Sequence, residues 1–442
     1  MIAIILKMDA RMRELEQRVA ELEAEKRVKK HSQNSSIPPS KDFGSPQRNQ
    51  SLRKSSGRKP GGQPGHQGHT LEMSATPDTI INHMPAFCQR CGIDLNNVAA
   101  TLIGKRQVVD IPVVRPTNTE HRIYSKRCTC GMEHSGAYPR GVDHNMQYGS
   151  RIESMISYLS VRQYVPYHRM GEMFQEMFGL SISEGSIDNM LERFSKKAFG
   201  MIDHIKTSLA AATVVGSDET GIKIGGKTNA LWTWQNEENT LLIPAGGRGY
   251  QTVEEHIGQM FANTVLVHDC WAAQLKTPAK THQLCLAHLM RDINYLIELT
   301  NSGWVLQIKE LFGDAIKLKN ELLPKDYLDP MPARTTLEKR LDRLLNQVPE
   351  SGYKEVTTFY KRLNKHRNYL FVFLYQDKVP FHNNDSEKAI RNAKVKQKVS
   401  GQFKTFKGAI RFAVIRSVID TCIKRGKNVF NALELVTQVA PE

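Results

Sequence analysis

The sequence predicts a multidomain α+β protein, on three observations. Its 442 residues exceed what one ordinary hydrophobic core serves. Two close cysteine pairs, Cys88/Cys91 and Cys128/Cys130, follow a basic strip broken by Gly and Pro. From residue 211 onward, short strand-like runs joined by tight turns give way to helical periodicity.

Lys and Arg number 61 against 45 Asp and Glu, a net charge of +16. That excess favours a polyanionic partner, with nucleic acid ahead of an anionic membrane surface. The plainer reading is a basic protein whose charge only aids solubility. No run approaches the roughly 18 apolar residues of a spanning helix. The opening Met1–Leu6 run is apolar but too short for a signal peptide and is followed at once by charges, so the expected location is the cytoplasm. Seven cysteines in a chain this long do not indicate a disulfide scaffold.

Residues 1–30 read as a coiled-coil helix. Ile5, Met8, Met12, Leu15, Val19 and Leu22 alternate spacings of three and four, an a/d seam with charges between. Three heptads pair weakly alone, and one amphipathic helix packed on its own domain gives the same pattern. Residues 31–75 form a basic Gly/Pro/Ser-rich linker. Its Gly57–His69 stretch, with Arg58 and Lys59, can lie along DNA phosphates or serve only as a flexible spacer.

Residues 76–145 read as a zinc-ribbon-like domain. Cys88 and Cys91 have the usual knuckle spacing, and Cys128 and Cys130 are one residue closer; Gly92 and Gly131 follow the pairs. Four thiolates would close a tetrahedron around structural Zn2+, with His121 or His134 as substitute ligands. Val108–Val114 between them is strand-like. The bland reading is four reduced thiols. Residues 146–210 read as helices: one ends at Gly179, the next is capped by Ser183 and carries Ile187, Met190, Leu191 and Phe194. Helix, short turn, helix suits either a helix-turn-helix DNA reader or plain packing.

Residues 211–300 form the first part of the core. Val214–Ile222 is strand-like. Ile222–Ile224 and Ala230–Trp234 flank a Gly225-Gly226 turn, and Thr240–Ile243 follows a second turn. A helix near 250–262, a strand at 264–268 and a helix at about 282–299 follow. Strand, strand, strand, helix, strand is the order of an RNase H-like core. Residues 301–375 read as a helical insertion, with Leu337, Leu341, Leu344 and Leu345 at helical spacing. The core resumes at 376–425, and 426–442 is a C-terminal tail.

Three carboxylates suit a metal-dependent phosphoryl-transfer site. Asp218 lies in the first strand; alternation puts it on the face of Gly216 and Thr220 and turns Glu219 the other way. Asp269 falls at the end of an apolar strand, where α/β sheets place ligands. Trp271 follows, able to stack on a base, although a core or rim aromatic is the commoner role. Glu387 opens a basic helix with Lys388, Arg391, Lys394, Lys396 and Lys398. Glu387 and Arg391 are also an i,i+4 pair, so a surface salt bridge is the rival reading. Asp385 is a rival ligand, about 200° away around the helix. Cys285 and His288 sit at i,i+3, and a supporting polar contact near the site suits them better than zinc.

Together these motifs resemble the transposases of the insertion sequence 66 family. The resemblance rests on Asn34–Ser40, Gly61–His66, the cysteine pairs, Asp218-Glu219-Thr220-Gly221, Cys285-Leu286-Ala287-His288 and Asn383–Arg391, and covers nearly the full chain. It implies an RNase H-like DDE core with Asp218, Asp269 and Glu387 as the triad. It further implies a zinc-binding DNA domain, DNA ends and target DNA as partners, and a nucleoid-associated bacterial setting. Small accessory proteins of the same element are possible further partners. The chain departs from the family in its shortened second cysteine pair and in Cys270–Ala273, where relatives carry a tyrosine-containing turn.

The expected activity is DNA cleavage and strand transfer, with Mg2+ or Mn2+ held by the triad and Lys388, Arg391, Lys394 and Lys398 on phosphates. Holding two ends implies a homodimer or larger synaptic complex, which the heptad seam can serve. An inactive transposase-derived repressor and another RNase H-like nuclease are the rival functions.

Overall fold

The computed structural model describes residues 7–9, 11–16, 19, 30–31, 34, 65, 67–68, 70–327, 330–350 and 352–438. They fall in two compact units, one within 44–116 and the other formed by the rest. The division at 116/117 runs through the predicted 76–145 segment.

In the smaller unit the chain around Cys88 folds back on itself. Leu95 N–H donates to the Ala86 carbonyl at 2.9 Å, and Cys88 N–H to the Ile93 carbonyl at 2.9 Å. Gly92, at φ +74°, makes the bend. The expected strand at Val108–Val114 does not form. Alternating apolar residues become a strand only with a ladder partner, and this run has none among the described residues.

In the larger unit, β1 (Ser125–Arg127) and β2 (Glu133–Ser135) make a small hairpin. The predicted caps then appear. Helix α1 (Ser150–Ser157) is followed by α2 (Tyr167–Phe178), which stops at Gly179 in the left-handed region, φ +66°. Helix α3 (Glu184–Lys197) starts where Ser183 Oγ accepts the Ser186 N–H at 3.1 Å, and α4 (Phe199–Ala210) completes the group. Ile187, Met190, Leu191 and Phe194 are buried, so that stripe is accounted for by packing. Ser183→Ala is expected to cost about 1 kcal/mol, read as a lower urea midpoint.

The central sheet has the order β5-β4-β3-β6-β7. Strands β3 (Val214–Ile224), β4 (Lys227–Gln235) and β5 (Thr240–Ala245) form an antiparallel meander. Gly225 and Gly226, at φ +54° and +81°, turn the first hairpin as the sequence predicts. After α5 (Tyr250–His256), β6 (Val265–His268) lies parallel to β3. After α6 (Ala272–Lys276), β7 (Thr281–Leu284) lies parallel to β6. Residues 282–284, expected in a helix, are therefore strand. Their ladder with Leu266–His268 wins over local propensity, and α7 (Leu286–Thr300) begins after it.

The sheet is buried on both faces. On β6, Leu266 joins one apolar cluster while Val265 and Val267 join the other, the period-two alternation of a strand. The second cluster is completed by α8 (Gly303–Glu321), α9 (Pro332–Asn346) and α10 (Lys354–Lys365), with Leu337, Leu341, Leu344 and Leu345 inward. The chain returns through α11 (Asn384–Ser400) and α12 (Phe406–Lys424). Helix α12 closes the edge of β5: the Leu242 and Thr240 N–H groups donate to Ser417 Oγ and Thr421 Oγ1 at 2.9 and 3.1 Å. The predicted C-terminal tail contains α13 (Val429–Gln438), anchored by buried Leu433 and Val436.

At the other end of the chain, described residues of the heptad segment are helical, and Met8, Met12, Leu15 and Val19 are exposed. Ile5 and Leu22 of the seam, and Arg58 and Lys59 of the linker, lie outside the described residues. Among the described residues no helix is long and apolar enough to cross a membrane.

Candidate functional site

The register of the sheet brings the first two acids together. Strand β3 pairs with β6 through Gly216 and Val267, and two residues further along each strand stand Asp218 and Asp269. Neighbouring strands lie about 4.8 Å apart, and paired positions share a face. The Asp218 carboxyl is held well above the usual carboxylate range, first by burial and then by the charge of Asp269. Its Oδ1 accepts the Glu219 N–H at 2.8 Å.

Asp269 Oδ1 lies 2.8 Å from His288 Nδ1. That approach lacks hydrogen-bond alignment, so this buried oxygen has a charged neighbour but no donor aimed at it. His288 extends from the first turn of α7 between Asp269 and Glu387; its Nε2 is 3.7 Å from Glu387 Oε1. Burial alone would lower the imidazole pKa, but Asp269 and Cys285 outweigh it and push it up to about 10. Arg291 Nη1 approaches Nε2 at 3.0 Å. Nδ1 faces the carboxylate and Nε2 faces the guanidinium.

Glu387 sits in the first turn of α11, where the helix dipole favours negative charge. Its Oε1 is 3.5 Å from Arg291 Nη2, and its Oε2 is 3.8 Å from Arg391. The surface pair anticipated from sequence therefore exists, but it is long and its arginine is exposed, while the other oxygen faces inward. Asp385 points elsewhere and pairs with Lys388 at 2.8 Å.

The start of α11 is fixed by contacts that periodicity does not reveal. Asn383 Nδ2–H donates to the Ser217 carbonyl at 2.7 Å, and Asn383 N–H to Cys285 Sγ at 3.3 Å. Gln235 Nε2–H donates to Ser386 Oγ at 3.3 Å. Buried Cys285 thus links β7, His288 and the Glu387 helix. The residues missed are Arg291, Asn383, Ser386 and Gly216. Their signal was position alone: one turn past His288, inside the Asn383–Arg391 motif, and two residues before Asp218.

Among the described residues, Asp269, Cys285 and His288 form the group whose metal-type donor atoms all lie within 4.8 Å of one another. Asp218 and Glu387 flank it and do not join at that mutual distance. Lys388, Arg391, Lys394 and Lys398 are exposed along α11 within an arc of roughly 120°, contiguous with Glu387. Lys394 also reaches the Gly221 carbonyl.

The cysteine pairs fall in different units. Each sits on its own knuckle: Gly92 N–H donates to the Cys88 carbonyl at 2.8 Å, and Gly131 N–H to the Cys128 carbonyl at 2.9 Å. Backbone N–H groups at Cys91 and Cys130 hold the Cys88 and Cys128 thiols below their ordinary range.

Carboxylates gathered where β3 runs on past its parallel pairing with β6 and where β6 ends, beside a cationic helix, define an α/β protein with a charged sheet edge. Comparison with known families matches residues 145–411 to the Transposase IS66 family, and the chain belongs to that family. Residues 2–72 match a second family, described as a family of unknown function (DUF6444). No curated protein sequence matches the chain. Family membership makes this a DNA-processing enzyme by class, with DNA as its partner.

Proposed function

We propose that the chain cuts and joins DNA at the ends of an insertion sequence by divalent-metal-dependent phosphoryl transfer, on an RNase H-like DDE core. The observation that carries this reading is the side-by-side placement of Asp218 and Asp269, with Glu387 brought from α11 to the same His288. The strand order, three antiparallel strands followed by two parallel ones, supports the core assignment.

The donor set fits a hard cation. Asp269 offers a buried oxygen with no aligned hydrogen-bond donor, and Asp218 is destabilised as an anion by burial and by Asp269. Asp218, Asp269 and Glu387 would hold Mg2+ or Mn2+. When bound, such cations sharpen a water or a DNA 3′-hydroxyl as nucleophile and stabilise the leaving oxygen. His288 orients Asp269, and Arg291 holds Glu387 toward it. The exposed cations of α11 take the flanking phosphates. The exposed Met8, Met12, Leu15 and Val19 seam supports pairing of two copies for synapsis.

The test is incubation of the full chain with duplexes carrying the DNA that flanks its gene. Cleavage and strand transfer in Mg2+, absent with chelator, is the expected result. Salt-dependent binding without any Mg2+-dependent cutting would sink the reading.

Cys88, Cys91, Cys128 and Cys130 are read as structural Zn2+ ligands, supported by their spacing and by the knuckle at each pair. Cys88→Ser is expected to lower bound zinc in native mass spectrometry and to weaken binding of the element ends. Unchanged metal content would dismiss the ribbon.

A further inference from the structure

Trp271 stands two residues past Asp269, and its backbone N–H donates to the Asp269 carbonyl at 2.7 Å. Trp271 keeps 45% of its surface exposed. One exposed aromatic is ordinary on a protein surface, but this one is held in place. Its Nε1–H donates to the Arg248 carbonyl at 3.1 Å, and the Arg248 guanidinium lies 5.6 Å from the ring centroid. Arg248 pairs with Glu219 at 2.9 Å. Gln274 Nε2 ties Glu219 to the Ser217 carbonyl, at 3.3 and 3.2 Å. The loop before Arg248 is pinned from the other side, where Trp232 Nε1–H donates to the Gly247 carbonyl at 3.2 Å.

The result is an indole and a guanidinium, each about half exposed, braced against both acid-bearing strands. We propose that Trp271 and Arg248 form a stacking shelf for one unpaired nucleobase of the DNA strand whose phosphate lies at Asp218 and Asp269. The inference rests on the phosphoryl-transfer reading and adds a nucleotide subsite to it. Every base has a π-face, and stacking on an aromatic ring contributes about 1–3 kcal/mol without demanding a sequence. A guanidinium stacks as well and is attracted to nearby phosphate. Inside a duplex both faces of a base are covered by its neighbours, so the shelf selects a strand opened next to the cut.

The test needs no cleavage. The full chain is titrated without added Mg2+ with single-stranded oligothymidylate, and with an oligomer of equal length whose central sugars are abasic. Trp271→Leu should weaken oligothymidylate binding about tenfold and leave the abasic oligomer unaffected. Trp271→Tyr should stay near wild type. In parallel, the indole emission present in wild type and missing from Trp271→Tyr should be quenched by oligothymidylate and not by the abasic strand. This readout stands even if the leucine variant fails to fold. Equal losses on both oligomers, wild-type binding by a folded Trp271→Leu, or no quenching would each overturn the shelf. An uncleaved duplex in Mg2+ would count against the proposed activity and leave this result intact.

Discussion

Asp269→Asn is expected to bind DNA ends as tightly as the parent chain and to cut them on the order of a thousandfold more slowly. The substitution keeps shape and volume and removes one charge. Asp269 is half-buried beside Asp218, whose carboxyl is raised by burial and by this neighbour. Removing the charge relieves that repulsion, so no loss of fold is expected. DNA affinity depends mainly on phosphate contacts by cations such as Lys388, Arg391 and Lys398, which the change does not touch. What is lost is a hard anionic ligand. A bound metal supplies several kcal/mol of transition-state stabilisation, and about 4 kcal/mol is a thousandfold in rate. Anisotropy with labelled end duplexes reads the binding, and denaturing gels read the cutting. Full cleavage by the variant in Mg2+ would remove Asp269 from the site.

How much of this was legible in the sequence depends on how local each determinant is. The Gly225-Gly226 turn, the Gly179 stop and the Ser183 cap each need only a few adjacent residues, and each appears where the sequence places it. The leucines of α9 announce a buried stripe by spacing alone. Strand β7 was hidden because Thr281–Leu284 is defined by its ladder with β6, not by its own pattern. Val108–Val114 failed in the opposite way, having the pattern without a ladder partner among the described residues.

The site divides along the same line. Acidic residue types at strand ends can be picked out from the sequence, and the helical angle between Asp385 and Glu387 already shows that they face apart. What cannot be read is who docks on whom. Asn383 reaches Ser217 across 166 positions, and Gln235 reaches Ser386 across 151. These contacts decide where Glu387 stands. His288 was visible only as a partner of Cys285; its place between Asp269 and Glu387 follows from the packing of α7 against α11 and the sheet.

Gly216→Ala, and more severely Gly216→Val, is expected to destabilise the protein and to misplace Glu387. Gly216 lies on β3 directly beneath the start of α11. A Cβ there would stand 2.5 Å from Gln235 Nε2, 2.6 Å from Ser386 Oγ and 3.0 Å from Asn383 Oδ1. None of the three can swing into water. All are buried, Gln235 is bonded to Ser386, and Asn383 is bonded to Ser217 and Cys285. Relief therefore requires α11 to lift from the sheet. Overpacking of this kind costs about 1–3 kcal/mol. Glu387 directly follows Ser386, so a lift of about 1 Å at the contact carries its carboxylate off the acids, and a misplacement of that size costs about a hundredfold in rate. Thermal unfolding and Mg2+-dependent cutting should fall together in this variant, whereas Asp269→Asn loses cutting alone. A Gly216→Val protein with parental melting temperature and parental cleavage would show that α11 is not seated on this strand, and the placement of Glu387 would fall with it.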